Sequence, residues 1–187
     1  MENVRLTVDE LERAARIGVA RALHAIANNL KGQSQQQPHN FIPDHIQGAV
    51  GEYAVAKFFG IAWDGTIGRL DSWQEHGKIR PIDVGPFEVK SRKHAQADLL
   101  ISVDNVHDWQ RNGAPKMPII LVTGYHLDWT LAGWAYGDDV LSHGDWFEPV
   151  PDRWSYRLLR GNLYQNWGDL REMAIAWNER QIANLKR

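Results

Sequence analysis

The chain has 187 residues, a length that usually folds as one domain and buries roughly 70% of the unfolded chain's surface. Zero cysteines exclude disulfides, thiolate zinc sites and a cysteine nucleophile, and no apolar run approaches the ~18–20 residues that span a bilayer. The net charge of −2 excludes a nucleic-acid binder that depends on bulk positive charge. Because the N-terminus lacks a signal-peptide core, we expect a soluble cytoplasmic protein with a single domain over residues 1–187.

An amphipathic helix is predicted over residues 7–30. Thr7 and Glu10 have the spacing of a capping box, and small or apolar residues then recur every three or four positions. Residues 31–40 are polar, glutamine-rich and interrupted by Pro38, which predicts a flexible connection inside one fold. We expect this first helix to be structural.

A second helix is predicted over Pro43–Phe59, with Gly60 at its C-terminal cap. Apolar side chains fill most of its circumference, so the helix should be largely buried. Glu52 is the exception, because an isolated ionised carboxylate would carry a desolvation cost of several kcal/mol and therefore needs a partner. Gly48 and Gly51 flank this residue and would let the helix approach another backbone closely.

A β-hairpin is predicted next. Its strands cover Ile79–Val84 and Phe87–Arg92, and Gly85 and Pro86 form the two-residue turn between them. Such a turn pairs the last residue of the first strand with the first residue of the second strand. The residues one step further from the turn therefore also face each other.

Three charged residues share one face of this hairpin. Asp83 lies directly opposite Glu88, and period-2 alternation places Lys90 on the same side. Like charges opposite each other destabilise a strand pair, and a divalent cation would remove that cost. Two carboxylates and a main-chain carbonyl, such as that of Val89, are hard oxygen ligands suited to Mg²⁺ or Mn²⁺. Lys90 would then orient an attacking water, help to deprotonate it, or stabilise charge on a phosphate.

Two arrangements without a metal stay open at this point. Asp83, Glu88 and Lys90 can form an exposed, salt-bridged strand face. Glu52 can form an ion pair with Lys90, instead of reaching the hairpin carboxylates as a further ligand.

The remaining elements are strands and helices without an internal repeat. The pattern predicts a mixed α and β order up to the C-terminus. In chain order we expect a strand over Asp98–Val103, a short helix capped by Asp104 and ending near Gly113, a buried strand over Pro118–Gly124, strands over Trp129–Tyr136 and Tyr156–Arg160, and a helix over Asp169–Leu185.

Three segments together resemble a known family of nucleases. They are Gly51-Glu52 on an alanine-rich helix, Pro81-Ile82-Asp83, and Glu88-Val89-Lys90. Their order and their element types resemble the PD-(D/E)xK nuclease superfamily, in particular its small bacteriophage-encoded members. The resemblance implies an α/β fold with a restriction-endonuclease-like αβββαβ core and a mixed central sheet over about residues 43–124. The helix over 7–30 and a Trp-rich C-terminal extension over 125–187 lie outside that core.

The resemblance also implies an activity. It makes Asp83 and Glu88 metal ligands, while Glu52 is an accessory ligand and Lys90 positions or activates water. The implied reaction is hydrolysis of phosphodiester bonds with Mg²⁺ or Mn²⁺, in DNA rather than RNA, and in the host cytoplasm if the protein is phage-encoded. The alternative is an inactive member of the fold that binds nucleic acid or protein, such as a phage-encoded inhibitor.

The charge around the hairpin favours a polyanionic partner. Residues 78–94 contain five basic residues against two acidic ones, a net charge of +3, so the rest of the chain carries −5. A basic strip around carboxylates is typical of a site that captures a polyanion, and a solvated strand face has the same composition. We expect four of these residues to contact nucleic acid: Lys78, Arg80, Arg92 and Lys93.

Eight of the nine tryptophans fall into two groups with different expected roles. Large aromatic residues crowd the C-terminal third, where we expect a core or a subunit interface, so the chain can also form a structural homo-oligomer. Two tryptophans precede the hairpin, Trp63 and Trp73, and these are the ones that we expect to contact nucleic acid. The C-terminal set is Trp129, Trp134, Trp146, Trp154, Trp167 and Trp177.

Overall fold

A computed structural model of the chain describes residues 1–28, 41–67, 83–113, 116–150 and 153–185. These residues form an α/β fold with a mixed sheet. In chain order the elements are β1 (Glu2–Arg5), α1 (Val8–Ala27), α2 (Phe41–Phe59), β2 (Glu88–Arg92), β3 (Leu99–Ser102), α3 (Val103–Asn112), β4 (Ile119–Tyr125), β5 (Asp128–Ala135), α4 (Gly137–His143), β6 (Asp145–Val150), β7 (Arg153–Leu158), a 3₁₀ turn (Arg160–Asn162) and α5 (Gly168–Leu185). None of the helices in these ranges is both long and apolar enough to cross a membrane.

The strands form two separate sheets. The main sheet has the order β1-β5-β4-β2, in which β2 and β4 are parallel and the other pairs are antiparallel. The second sheet has the antiparallel order β3-β7-β6. The strand predicted over Asp98–Val103 therefore exists as β3, but it lies in a different sheet from β2.

The two faces of the main sheet carry two hydrophobic clusters. Ile120 and Val122 of β4 pack on the α2 side, whereas Ile119 and Leu121 pack on the side of β3 and α3. Because both faces of β4 are covered, its sequence is apolar without alternation, as the prediction of a buried strand assumed. All four side chains are almost fully buried.

Local signals located most of the helices correctly. Thr7 and Glu10 form the predicted capping box at the start of α1, and α2 ends at Phe59 as expected. The cap of α3 was wrong: the Ser102 hydroxyl, not Asp104, accepts a hydrogen bond from the Asn105 N–H at 3.4 Å. Ser102 ends β3 in an extended conformation, so its side chain is the one that faces the first helical N–H groups.

Several elements near the termini differ from the predictions. The strand expected over Tyr156–Arg160 runs over Arg153–Leu158, because its pairing with β3 ends at Leu158. The Arg160 N–H instead donates to the Asp98 carboxylate at 2.8 Å. The sequence analysis did not predict β1, α4 or β6. The predicted helix residue Leu30 and the connection over 31–40 lie outside the described residues.

Close helix contacts occur at two glycines. A Cβ on Gly18 of α1 would lie 2.5 Å from the Ile46 Cα of α2, and a Cβ on Gly51 would lie 2.6 Å from the Ser91 Cβ of β2. Gly51 therefore allows the close approach that the sequence predicted. Gly48 does not, since a Cβ added there would meet no atom within 4 Å.

The tryptophans of the C-terminal third divide between core and surface. Trp129, Trp134 and Trp167 are buried, as expected for core residues. Trp146 and Trp154 on the β6–β7 hairpin are instead 44% and 54% exposed.

Candidate functional site

The turn before β2 has the predicted pairing. Val84 and Phe87 exchange two main-chain hydrogen bonds, of 3.0 and 2.8 Å. Gly85 adopts a φ of +52°, a left-handed conformation that glycine accepts at little cost. The first strand of the predicted hairpin was expected to start at Ile79, and its residues before Asp83 lie outside the described ranges.

Asp83 lies at the edge of β2 away from β4, where its carboxylate accepts a hydrogen bond from the Val89 N–H at 2.9 Å. Burial and, after it, the negative charges of Glu88 and Glu52 together raise the pKa of Asp83 to about 7. Lys90 and the Val89 hydrogen bond oppose this rise in the pKa without cancelling it. Asp83 is therefore the carboxyl whose negative charge the surrounding protein compensates poorly.

Glu88 and Lys90 lie on one face of β2, as the alternation predicted. The Lys90 Nζ lies 2.6 Å from Glu88 Oε1, and the two side chains are only 23% and 8% exposed. The pair is therefore not the exposed strand face of the first alternative, because the surrounding fold removes most of its solvent.

Glu52 has a partner that the sequence analysis missed. Both oxygens of its carboxylate accept hydrogen bonds from the Arg21 guanidinium, at 2.6 and 2.9 Å, and one also accepts from Trp63 Nε1 at 3.1 Å. The expected alternative, an ion pair between Glu52 and Lys90, is therefore wrong. The reason is tertiary, because α1 crosses α2 closely at Gly18 and brings Arg21 to the carboxylate.

The sequence does contain a signal for Arg21. Gly18, Ala22 and Ala25 are buried on α1, and Arg21 lies on the same side at a spacing of three or four from two of them. A positively charged side chain on the buried side of a helix needs a buried partner of opposite charge. Glu52 on α2 has the matching need. Burial lowers the pKa of Arg21, but the hydrogen bond and charge of Glu52 more than offset this, so that the pKa is raised overall.

Trp63 is a core residue and not a surface contact for nucleic acid. It is 8% exposed, packs edge-on against Tyr53 at 5.3 Å and uses its indole N–H for Glu52. The prediction for Trp63 is therefore wrong. Trp73, the other tryptophan of that prediction, lies outside the described residues.

The predicted basic contacts are only partly described, because Lys78 and Arg80 lie outside the described ranges. Lys93 is exposed directly after β2. Arg92 is half-buried, and its buried Nε has no hydrogen-bond partner among the described residues. Burial lowers the pKa of the Arg92 guanidinium, and the charge of Asp44 opposes that change in pKa.

The donor set fits a small metal site with two carboxylates. In the described part of the chain, no group of three or more His, Asp or Glu side chains is arranged to hold a metal ion. Asp83 and Glu88 nevertheless act on each other electrostatically, and Mg²⁺ is commonly bound by one or two carboxylates with water and phosphate oxygens. The Val89 N–H points at Asp83, so the Val89 carbonyl lies on the same side of β2.

Glu52 fits a metal shell less well than these two residues. A carboxylate has about four lone-pair sites, and the hydrogen bonds from Arg21 and Trp63 occupy three of them. Its charge still acts on Asp83 and raises the pKa of that residue. Glu52 is therefore placed to influence the site through charge and through the position of α2.

Comparison of the chain with models of protein families, with curated proteins and with solved structures finds no match. The function is therefore inferred from the residues of the site. The site combines two largely buried ion pairs, Lys90–Glu88 on β2 and Arg21–Glu52 between α1 and α2. Asp83, whose pKa is raised, lies close enough to both pairs to be affected by their charges.

Proposed function

We propose that the protein is a metal-dependent nuclease of the PD-(D/E)xK type, with a restriction-endonuclease-like core, that hydrolyses phosphodiester bonds in DNA. The observation that supports this most is Asp83. Its carboxyl is partly buried beside Glu88 and Glu52, whose charges raise its pKa, and acids with a strongly raised pKa cluster at functional sites. A divalent cation next to Asp83 would balance the negative charge that the fold leaves uncompensated.

The residues have distinct roles in this proposal. Asp83 and Glu88 hold Mg²⁺ or Mn²⁺, with the Val89 carbonyl as a third protein ligand. When bound, the cation supplies Lewis-acid chemistry, because it lowers the pKa of water and neutralises charge on a phosphate. Lys90, which Glu88 holds at 2.6 Å, donates hydrogen bonds that orient the attacking water and stabilise negative charge on the phosphate oxygens.

Glu52 is a positioning residue in this proposal, whereas the resemblance implied an accessory ligand. Its ion pair with Arg21 joins α1 to α2, and Gly51 beside it brings α2 against Ser91 of β2. The pair therefore supports the strand that carries Glu88 and Lys90. Trp63 holds the carboxylate from a third side.

A catalytically inactive member of the same fold, which binds nucleic acid or protein, is the second candidate. One observation favours it. Glu52 already forms an ion pair with Arg21 and Glu88 with Lys90, and no group of three metal-binding side chains occurs in the described ranges. Fold and partial motif alone do not establish cleavage.

A cleavage assay separates the two candidates. The full chain is incubated with linear, circular and single-stranded DNA and with RNA, in Mg²⁺, Mn²⁺ or chelator. We expect DNA cleavage only with a metal, and loss of cleavage in Asp83→Ala and Glu88→Ala. Lys116→Ala, an exposed lysine that precedes β4, is the control and should cleave like the wild type. DNA binding without cleavage in either metal would favour the inactive candidate.

A further inference from the structure

A polar row crosses the main sheet on the face opposite α2. Thr123 follows Leu121 on that face of β4, and its register partners are Arg92 of β2 and Thr130 of β5. Thr130 in turn pairs with Asn3 of β1. These four residues, Arg92, Thr123, Thr130 and Asn3, are called the polar row below.

A cleft lies at one end of this row. Ile119 and Leu121 of β4 pack against residues of β3, α3 and β7, and Thr123, the next residue on that face, is 2% exposed. Above this end of the sheet lies a cleft of about 500 Å³, which is lined by Thr123, Thr130 and Asn3 and also by Lys93, Arg5 and Asp128. This volume is in the range of ligand sites.

The cleft lies at the carboxyl ends of the parallel strands β2 and β4. Ligands of open α/β sheets commonly bind outside that end of the strands, because the loops diverge there. β2 itself connects the cleft to the proposed metal site. Lys93 follows Lys90 by three residues, a distance of ~10 Å at 3.3 Å per residue along a strand.

Asn3 and Lys93 supply hydrogen-bond donors to the lining. The Thr130 hydroxyl contacts Asn3 Oδ1 at 3.0 Å, which directs the two N–H donors of the Asn3 amide away from that contact. Lys93 adds an exposed ammonium group at the β2 side. Arg5 forms an ion pair of 2.6 Å with Asp128, which is the acidic side chain among the described residues of the lining. The remaining net charge of the cleft is positive.

We propose that this cleft binds the phosphodiester backbone of a DNA strand that continues from the proposed metal site. The proposal rests on the proposed function and names a second part of the same substrate interface. The polar row spans three strand spacings, or ~14 Å, and the path to Lys90 adds ~10 Å. A strand of B-form DNA rises 3.4 Å per nucleotide, so this path fits several nucleotides rather than a mononucleotide. Lys93 and Asn3 contact phosphates, while Thr123 forms the floor.

The test compares DNA affinity and small-substrate cleavage in the same variants. Binding of a labelled duplex and of a labelled single strand is measured in Ca²⁺ over a range of salt concentrations. Lys93→Gln should weaken DNA binding about three- to ten-fold and lower the salt slope by about one. Asn3→Ala should weaken binding about three-fold with an unchanged salt slope, because it removes neutral donors. Lys116→Gln is the matched charge control and should bind like the wild type.

Cleavage of bis(p-nitrophenyl) phosphate separates this proposal from the proposed function. That ester occupies only the metal site, so its hydrolysis by the wild type and by Lys116→Gln reports on the metal site alone. If the wild type hydrolyses neither this ester nor DNA, the proposed function fails, and the binding data still decide the cleft. Wild-type affinity in both cleft variants, or equal losses in Lys116→Gln, would overturn the cleft proposal even if cleavage is confirmed.

Discussion

The protein places charged pairs in two different settings. Around β2, the pairs Arg21–Glu52 and Lys90–Glu88 are largely buried. On the β6–β7 hairpin, Arg157 and Asp145 are 2.7 Å apart, but the Asp145 side chain is 56% exposed. Water screens the second pair, whereas Glu52, Glu88 and Lys90 of the first two pairs act on Asp83 across a region with little solvent.

This difference shows why the β2 region is the candidate site. A buried charge changes the pKa of its neighbours, and the raised pKa of Asp83 is an example of this effect. An exposed ion pair contributes little beyond its own contact. The following variants test whether the β2 region behaves as one functional unit and the hairpin pair as an ordinary surface contact.

The largest expected effect is on cleavage. Asp83→Ala and Glu88→Ala should reduce the cleavage rate by about 10³-fold or more and weaken metal binding, because each removes a carboxylate ligand. Lys90→Ala should reduce cleavage about equally and leave metal binding largely intact, because a protonated lysine is not a metal ligand. Calorimetric titration with Mn²⁺ and a plasmid assay provide the two measurements. Wild-type turnover in Lys90→Ala would contradict the role of this residue.

The second effect is on folding stability. Arg21→Met leaves the Glu52 carboxylate buried without its cation, so the free energy of unfolding should fall by about 2–4 kcal/mol. Arg157→Met on the hairpin is the matched control and should leave the denaturation midpoint almost unchanged. Urea denaturation measures both variants. The double variant Arg21→Met/Glu52→Leu should recover much of the loss, and equal losses in the single and double variants would argue against an uncompensated charge.

The third effect is a metal-dependent gain in stability. A cation that binds only the folded state stabilises it by RT ln(1 + [L]/Kd), which is about 2.7 kcal/mol at ~100-fold above Kd. Mg²⁺ should therefore raise the melting temperature of the wild type. Asp83→Asn should melt higher than the wild type in chelator and gain much less from Mg²⁺, because it removes one negative charge and one ligand. The absence of a shift up to ~10 mM Mg²⁺, and again with a DNA duplex in Ca²⁺, would contradict the metal site.

The smallest effect concerns pH. In chelator, the Asp83 carboxyl has an ordinary pKa of 3.8 when unfolded and a pKa of about 7 when folded. Between these values the folded state keeps a proton that the unfolded state releases, so stability should fall as the pH rises from about 4 to 7. Asp83→Asn lacks this contribution. Melting curves of both proteins at pH 4 and 7 should show that the stability advantage of Asp83→Asn is present at pH 7 and nearly absent at pH 4.

Short-range patterns in the sequence were enough for much of the fold and for part of the site. Thr7 and Glu10 identified the start of α1, and Gly85 with Pro86 identified the turn before β2. The alternation of Glu88 and Lys90 placed them on one face of a strand, because side chains two residues apart point the same way. The burial of Glu52 followed from the apolar helix around it.

Long-range contacts decided the rest, because spacing along a chain does not specify which elements meet. Arg21 reaches Glu52 across thirty-one positions only because Gly18 lets α1 cross α2 closely. Trp63 was expected at the surface, yet its indole N–H completes the same buried cluster. The polar row pairs Asn3 with Thr130 and Arg92 with Thr123, residues that are far apart in sequence, so its existence depends on the strand order of the main sheet. Residue types and periodicity thus identified the chemical groups, and packing of distant elements determined their partners.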